Sequence, residues 1–197
     1  DGKRRDDTER VFVLWGSQPH SSKAAHGGHG LVDARSNLGV KSVVVDPYLT
    51  AEAAKADVWL PVRPGSDCAL MLSWIRYIID QKAYDEPFVK YWTNLPFLIN
   101  HDTRLAYRAE EVWPDYVNPA ADPDDVYDTP AYVCFDARTN TIQPFPFTAP
   151  GDSPVDPVVV ATATVTGKEA KTAGQIYWEE AEPWTLEAAA ETCCLKP

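Results

Sequence analysis

Short apolar runs, each closed by glycine, proline or a polar residue, dominate the first third of the chain. Val11-Phe12-Val13-Leu14-Trp15 is followed by Gly16, a pattern that predicts a strand buried on both faces. Leu31, Ala34 and Leu38 recur at helical spacing ahead of Gly39, so a helix over 31–38 with a glycine C-cap is expected. Ser42-Val43-Val44-Val45-Asp46 reads as a second strand, ended by Pro47. The two strands begin about 31 residues apart with a helix between them, which is the layout of a βαβ unit with parallel pairing.

Thr50–Ala56, alanine-rich with Glu52 at its start, reads as a short helix, and Val58-Trp59-Leu60-Pro61-Val62 as a third strand. Pro61 lacks the amide hydrogen a central strand needs, so this strand belongs at or near a sheet edge. Gly65-Ser66-Asp67 opens the longest helical pattern, apolar at 70, 71, 74, 75, 78 and 79, with Ser66 or Asp67 as its cap. Asp85, with Pro87 in the first turn, marks another helix start. From Trp113 to Pro157 the pattern breaks up around nine prolines. One hairpin is expected there: Ala131–Asp136, a turn at Arg138-Thr139-Asn140, and a return strand from Thr141.

Charge changes the picture by region. The 197 residues carry 18 Lys+Arg against 29 Asp+Glu, a formal −11, which disfavours a nucleic-acid partner. Between Ala109 and Gly167 stand Glu110, Glu111, Asp115, Asp122, Asp124, Asp125, Asp128, Asp136, Asp152 and Asp156 against one base, Arg138, so that window supplies −9. It has no D-x-D-x-D-G loop and reads as a solvated face. The first hundred residues are near neutral and can accommodate an anionic ligand.

Hydrophobic residues make up 45% and charged ones 24%, a globular composition long enough for a full core, and no apolar stretch is long enough to span a membrane. The chain reads as soluble. Cys68, Cys134, Cys193 and Cys194 have no C-x-x-C or framework spacing and read as buried or free thiols. The H-x-x-H at His26 and His29 lacks two further ligands for zinc. His20 or His26 could line a channel after the first strand, although a solvated histidine at a helix start is the plainer reading. The chain opens on Asp1, has Met71 as its one methionine and stops after a helix-like run Leu186–Thr192, so it is expected to be a piece of a longer polypeptide.

The chemistry concentrates in three loops. In a parallel α/β sheet, ligands bind beyond the carboxyl ends of the strands. Trp15-Gly16-Ser17-Gln18-Pro19, Asp46-Pro47-Tyr48-Leu49-Thr50 and Pro64-Gly65-Ser66-Asp67 each follow a strand and share that edge if the strands are parallel. Gly16 and Ser17 suit close approach of backbone amides to a phosphate. Asp46 is placed to take ribose hydroxyls, and Asp67 can accept from guanine N1 and N2 hydrogens while Ser66 bonds a phosphate or sugar. Individually, each residue also has a structural reading: two turns, a strand end and a helix cap. The G-x-G-x-x-G fingerprint is missing, since Gly27-Gly28-x-Gly30 lies about ten residues past the strand, and no P-loop is present.

"VLWGSQP", "VVVDPYLTAEAAKADVWLPVRPGSDCAL" and "YDEPFVKYWTNLPFL" together resemble the molybdopterin oxidoreductases of the dimethyl sulfoxide reductase type over nearly the whole chain. The family pattern is a W-G-S-N-P-like loop, D-P-R-x-T followed by A-D and a strand, then R-P-G-T-D-x-A-L into a helix. The tail "WTLEAAAETCCLKP" resembles the stretch where the family's chain leaves this domain. "YWTNLPFL" is closest to the branch holding acetylene hydratase, a transhydroxylase and the catechol dehydroxylases.

The resemblance implies an α/β fold, with a Rossmann-like mostly parallel sheet, flanking helices and a loop-rich, Pro-rich C-terminal half. Residues 1–112 would form the cofactor-nucleotide-binding core, 113–182 the acidic loops and hairpin completing it, and 183–197 a segment leading to the rest of the subunit. The implied cofactor is molybdopterin guanine dinucleotide with molybdenum or tungsten. Trp15, Gly16, Ser17, Gln18 and Pro19 would meet its phosphates, Asp46, Pro47, Tyr48 and Thr50 its nucleotide, and Gly65, Ser66 and Asp67 its ribose and guanine. Gln18 replaces the usual asparagine, Ser66 a threonine, and Tyr48 an arginine that could pair with phosphate. The metal ligand and any iron–sulfur cluster would lie outside this stretch, with the remaining catalytic subunit and an iron–sulfur electron-transfer subunit as partners. The alternative is a nucleotide- or partner-binding α/β module without catalysis.

Overall fold

The computed structural model describes residues 11–22, 28–121, 124, 130–146 and 151–195. In chain order its elements are β1 (Val11–Trp15), α1 (Pro19–Ser22), α2 (His29–Leu38), β2 (Lys41–Val45), a 3-10 turn (Ala53–Lys55), β3 (Val58–Leu60), α3 (Asp67–Asp80) and α4 (Glu86–Trp92). Then follow β4 (Leu98–Ile99), α5 (Ala109–Val112), β5 (Tyr132–Asp136), β6 (Thr141–Phe145), β7 (Thr162–Val165), β8 (Lys168–Thr172), α6 (Ala173–Ala181) and α7 (Leu186–Cys193). The chain divides into two compact units: the described residues up to Met71 with those from Leu186 on, and Leu72–Thr185.

The first unit is built on a parallel sheet in the order β1-β2-β3, with Val13 opposite Val43 and Val43 opposite Val58. The valines of β2 place it at the centre, where Val44 and Val45 are fully buried. Gly39 ends α2 in the left-handed conformation at φ 63° and returns its amide to Ala34 O, the C-cap expected from its position. Two expectations change. The third strand stops at Leu60, before Pro61, and lies at the sheet edge as the proline requires. β1 is also an edge strand, and only one of its faces is covered: Phe12 and Leu14 share a cavity wall with Leu31 and Val32 of α2, whereas Val11 and Val13 are exposed.

In the second unit the pairing is antiparallel, so the expected mostly parallel arrangement holds for the first unit alone. β5 and β6 form the expected hairpin, with Asn140 in the left-handed turn conformation, and β4-β8-β7 make a second sheet. That sheet was hidden in the sequence because Lys168-Glu169-Ala170-Lys171-Thr172 buries only Ala170 and Thr172. Tyr91, Phe97, Cys134, Phe145 and Val155 form one core cluster, and Leu98, Tyr107, Val133, Val165 and Ala170 another. Phe97 stacks on Tyr132 with ring centroids 4.7 Å apart. At about 1.5–3 kcal/mol per large apolar side chain removed from water, these clusters are the unit's main stabilising term. Asp85 caps α4 by accepting from the Phe88 amide at 3.0 Å.

The acidic residues Asp122, Asp125 and Asp128 and the histidine His26 lie outside the described residues. Among those described, no helix is long and apolar enough to cross a membrane. All four cysteines are free. Cys134 is inert as a nucleophile, because burial, with Asp136 close by, pushes its thiol up to about 12.

Candidate functional site

Because β1, β2 and β3 run parallel and adjacent, the segments that follow them leave through one edge of the sheet. Gly16 continues the ladder by donating its amide to Val45 O at 2.9 Å, then turns the chain at φ 55°. A Cβ there would meet nothing within 4 Å, so the glycine is required by conformation and leaves open space beside the backbone. Ser17 and Gln18 beyond it are exposed, and Pro19 enters α1.

In the second loop Asp46 is buried. Its Oδ1 accepts from the Tyr48 amide at 2.9 Å, an Asx turn, and its carbonyl accepts from the Trp59 indole at 2.9 Å. Pro47 and Tyr48 are thereby left exposed, Tyr48 by 76%. Thr50 turns inward, its hydroxyl accepting from the Ala53 amide at 3.0 Å.

Around the third loop, Gly65 adopts φ 86° with open space at its Cβ position. The Ser66 hydroxyl donates to Arg63 O at 2.6 Å, and is therefore committed to the loop's own backbone and not to capping α3. Arg63 and Ser66 are also braced by α7: the Arg63 amide donates to Cys193 O, and the Cys193 thiol approaches Ser66 O at 3.5 Å. Asp67 opens α3, and its Oδ1 accepts from the Trp15 indole at 2.7 Å. That bond joins the first loop to the third. Of the residues singled out in the sequence, Trp15 and Asp67 hydrogen-bond each other across the edge, whereas Gly16 and Asp46 bond to residues of the neighbouring strands, Val45 for Gly16 and Trp59 and Leu60 for Asp46. Ser66 and Thr50 shape their own turns, and Ser17, Gln18, Pro47 and Tyr48 line the exposed approach.

No protein-family model matches the chain. In Halobacterium salinarum, the catalytic chain of a putative dimethyl sulfoxide reductase is 41% identical over 92 residues, covering 47% of this chain and 11% of that protein. Dopamine dehydroxylase of Eggerthella lenta is 41% identical over 93 residues, covering 47% of this chain and 9% of that protein. Acetylene hydratase of Syntrophotalea acetylenica is 48% identical over 54 residues, 27% of this chain and 7% of that protein. Over these stretches the chain is similar to catalytic subunits of the molybdopterin-dependent dimethyl sulfoxide reductase family. Its alignments span about a tenth of the length of these relatives. They also cover about half of this chain, less than the nearly complete resemblance expected from the motifs.

At this edge Glu52 escaped the sequence reading of the site, and its partner is His20, read from the sequence as able to line a channel. Glu52 is buried, and its Oε1 accepts from both the backbone amide of His20 at 2.9 Å and the ring Nδ1 at 3.0 Å. Its Oε2 has no hydrogen-bond partner among the described residues. Burial pushes this carboxyl up, but the hydrogen bonds from His20 and from its own amide hold it below the usual value. A carboxylate inside an alanine-rich turn was the available signal, and it read only as a helix start.

Proposed function

We propose that the chain is part of the catalytic subunit of a molybdenum- or tungsten-dependent oxidoreductase and holds the guanine dinucleotide part of a bis-molybdopterin guanine dinucleotide cofactor. The Trp15–Asp67 hydrogen bond carries this reading, because it closes the first loop onto the third at the edge where a Rossmann-like sheet would receive a nucleotide. The donor set fits such a group. Gly16 and Gly65 leave room at the backbone, and Asp67 uses one of its roughly four lone-pair positions on Trp15, leaving the rest for guanine N1 and N2 hydrogens.

When bound, the cofactor supplies the redox chemistry, and this chain's share is position and electrostatics. Gly16, Ser17 and Gln18 present the first loop to the phosphates, with Trp15 and Pro19 fixing its two ends. Asp46, Pro47, Tyr48 and Thr50 shape the nucleotide's flank, and Asp67 reads guanine. Gly65 and Ser66 act through the shape of the third loop. The metal ligand and any iron–sulfur cluster belong to the rest of the subunit, and an electron-transfer subunit is the expected partner.

The test is calorimetric titration of the chain with GDP, with ADP as the base control. Saturable GDP binding at least tenfold tighter than ADP is expected. Asp67→Asn keeps an oxygen for Trp15 but loses the second acceptor, and should weaken GDP by about tenfold or more while leaving ADP unchanged. Equal binding of the two nucleotides would remove the guanine role, and no binding of either would overturn the proposal.

A further inference from the structure

His20 stands directly after the first loop, and Glu52 two residues after the second, so their contact joins the segments that follow β1 and β2. Three observations fix the imidazole. Its Nδ1 lies 3.0 Å from a buried carboxylate oxygen, which can only accept, so Nδ1 carries the proton. The same oxygen takes the His20 amide at 2.9 Å, locking backbone and ring together. Gly28 closes the other side: a Cβ there would lie 3.0 Å from His20 Cδ2 and 3.2 Å from Cγ, so a bare backbone packs against the ring. With Nδ1 committed to Glu52, Nε2 is the ring nitrogen left for a ligand, and 40% of the side chain is open to solvent.

The charge around the ring makes this nitrogen consequential. Glu52, His20, Arg35 and Lys55 all line one cavity of about 50 Å³. The Arg35 guanidinium lies 3.7 Å from Asp57, which draws its charge toward that partner. With a neutral imidazole, the pair carries the negative charge of Glu52, set against Lys55 on the same cavity. With an imidazolium the pair is neutral and offers an outward N–H.

We propose that His20, held by Glu52 and Gly28, is the diphosphate-binding cation of this site, occupying the role that Tyr48 cannot fill, and that binding of the diphosphate is coupled to protonation of its Nε2. The inference rests on the nucleotide reading above. Linkage then requires affinity for a diphosphate to be highest at low pH and to fall as the ring loses its proton, and it requires the bound ligand to retain that proton.

The experiment titrates the chain with inorganic pyrophosphate and with GDP from pH 5.5 to 8 without divalent ions, in wild type, His20→Gln and Asp67→Asn. The ligands' own titration is common to all three and cancels in the ratios. Wild type should lose about tenfold more pyrophosphate affinity across the range than His20→Gln, whose affinity at pH 5.5 should already be about tenfold weaker. Asp67→Asn should keep the pyrophosphate profile and lose only GDP. A direct reading on the unmutated chain comes from NMR of the histidine rings, where pyrophosphate should move the His20 midpoint to higher pH. Identical pH profiles for wild type and His20→Gln, or an unmoved His20 midpoint, overturn the inference. If GDP binding in the same series still depends on Asp67, the guanine reading survives that result; if wild type binds neither ligand, both fall.

Discussion

In the second unit the buried Asp136 and Thr172 are saturated with hydrogen bonds, whereas in the first Asp46, Glu52 and Asp67, which follow the strands at one edge of the sheet, are not. Asp136 accepts from the amides of Arg138, Thr139 and Asp156 and from the Thr139 hydroxyl. Thr172 donates to Val159 O and accepts from the amides of Ala161 and Gln175. Those groups have little hydrogen-bonding capacity left, which is what stability selects. Asp46, Glu52 and Asp67 keep capacity in reserve, and Glu52 Oε2 has no partner at all among the described residues. Reserve acceptors at the carboxyl edge of a parallel sheet are what the proposed nucleotide site requires, so the proposal assigns closure to one unit and binding to the other.

The most severe way to break this contrast is at Gly174, in the first turn of α6. A Cβ there would lie 2.2 Å from Val159 O, against backbone that has nowhere to retreat. Gly174→Ala should cost at least about 3 kcal/mol in urea denaturation. A loss under about 1 kcal/mol would show that the second unit is not closed as tightly as its hydrogen bonds imply.

Asp136 tests the same closure electrostatically. Burial pushes its carboxyl up, but the hydrogen bonds from Asp156, Thr139 and Arg138 outweigh that and hold it below the usual carboxylate value. A group depressed in the folded state contributes stability above its unfolded pKa of about 3.9 and loses it as pH falls through the lower folded value. Asp136→Asn should therefore destabilise by about 2–3 kcal/mol at neutral pH, with the deficit shrinking below about pH 4. A deficit of constant size from pH 7 to pH 3 would mean that the carboxylate is not what the turn requires.

The same contrast explains what was legible in the sequence. The parallel unit announces itself through apolar strand runs such as Val43–Val45, and glycines followed by polar residues mark its loops. Local patterns also located the hairpin and the Asp85 cap. The β4-β8-β7 sheet stayed hidden, because β4 is two residues long and β8 is mostly charged, so its register depends on packing and not on period. Motif spacing located Trp15 and Asp67 but not their mutual bond, and the His20–Glu52 pair has a separation of 32 residues that no local pattern encodes. Ser66 and Thr50 read as ligand-facing hydroxyls, yet each has a backbone partner nearer at hand.

The finest test sets Gly16 against Gly174, because the two glycines are required for opposite reasons. At Gly16 nothing lies within 4 Å of the Cβ position, so Gly16→Ala meets only the strain of φ 55° and should cost about 1 kcal/mol of stability. The added methyl would, however, occupy the space beside the first loop where backbone amides are to meet a phosphate. GDP and pyrophosphate affinity should then fall by at least tenfold, more than the stability change alone implies. A stability loss near that of Gly174→Ala would mean that the first loop is packed and the edge is closed. Unchanged affinity would mean that the ligand does not approach the backbone at Gly16, and the distinction between a closing unit and a binding unit would have to rest on the Trp15–Asp67 and His20–Glu52 pairs.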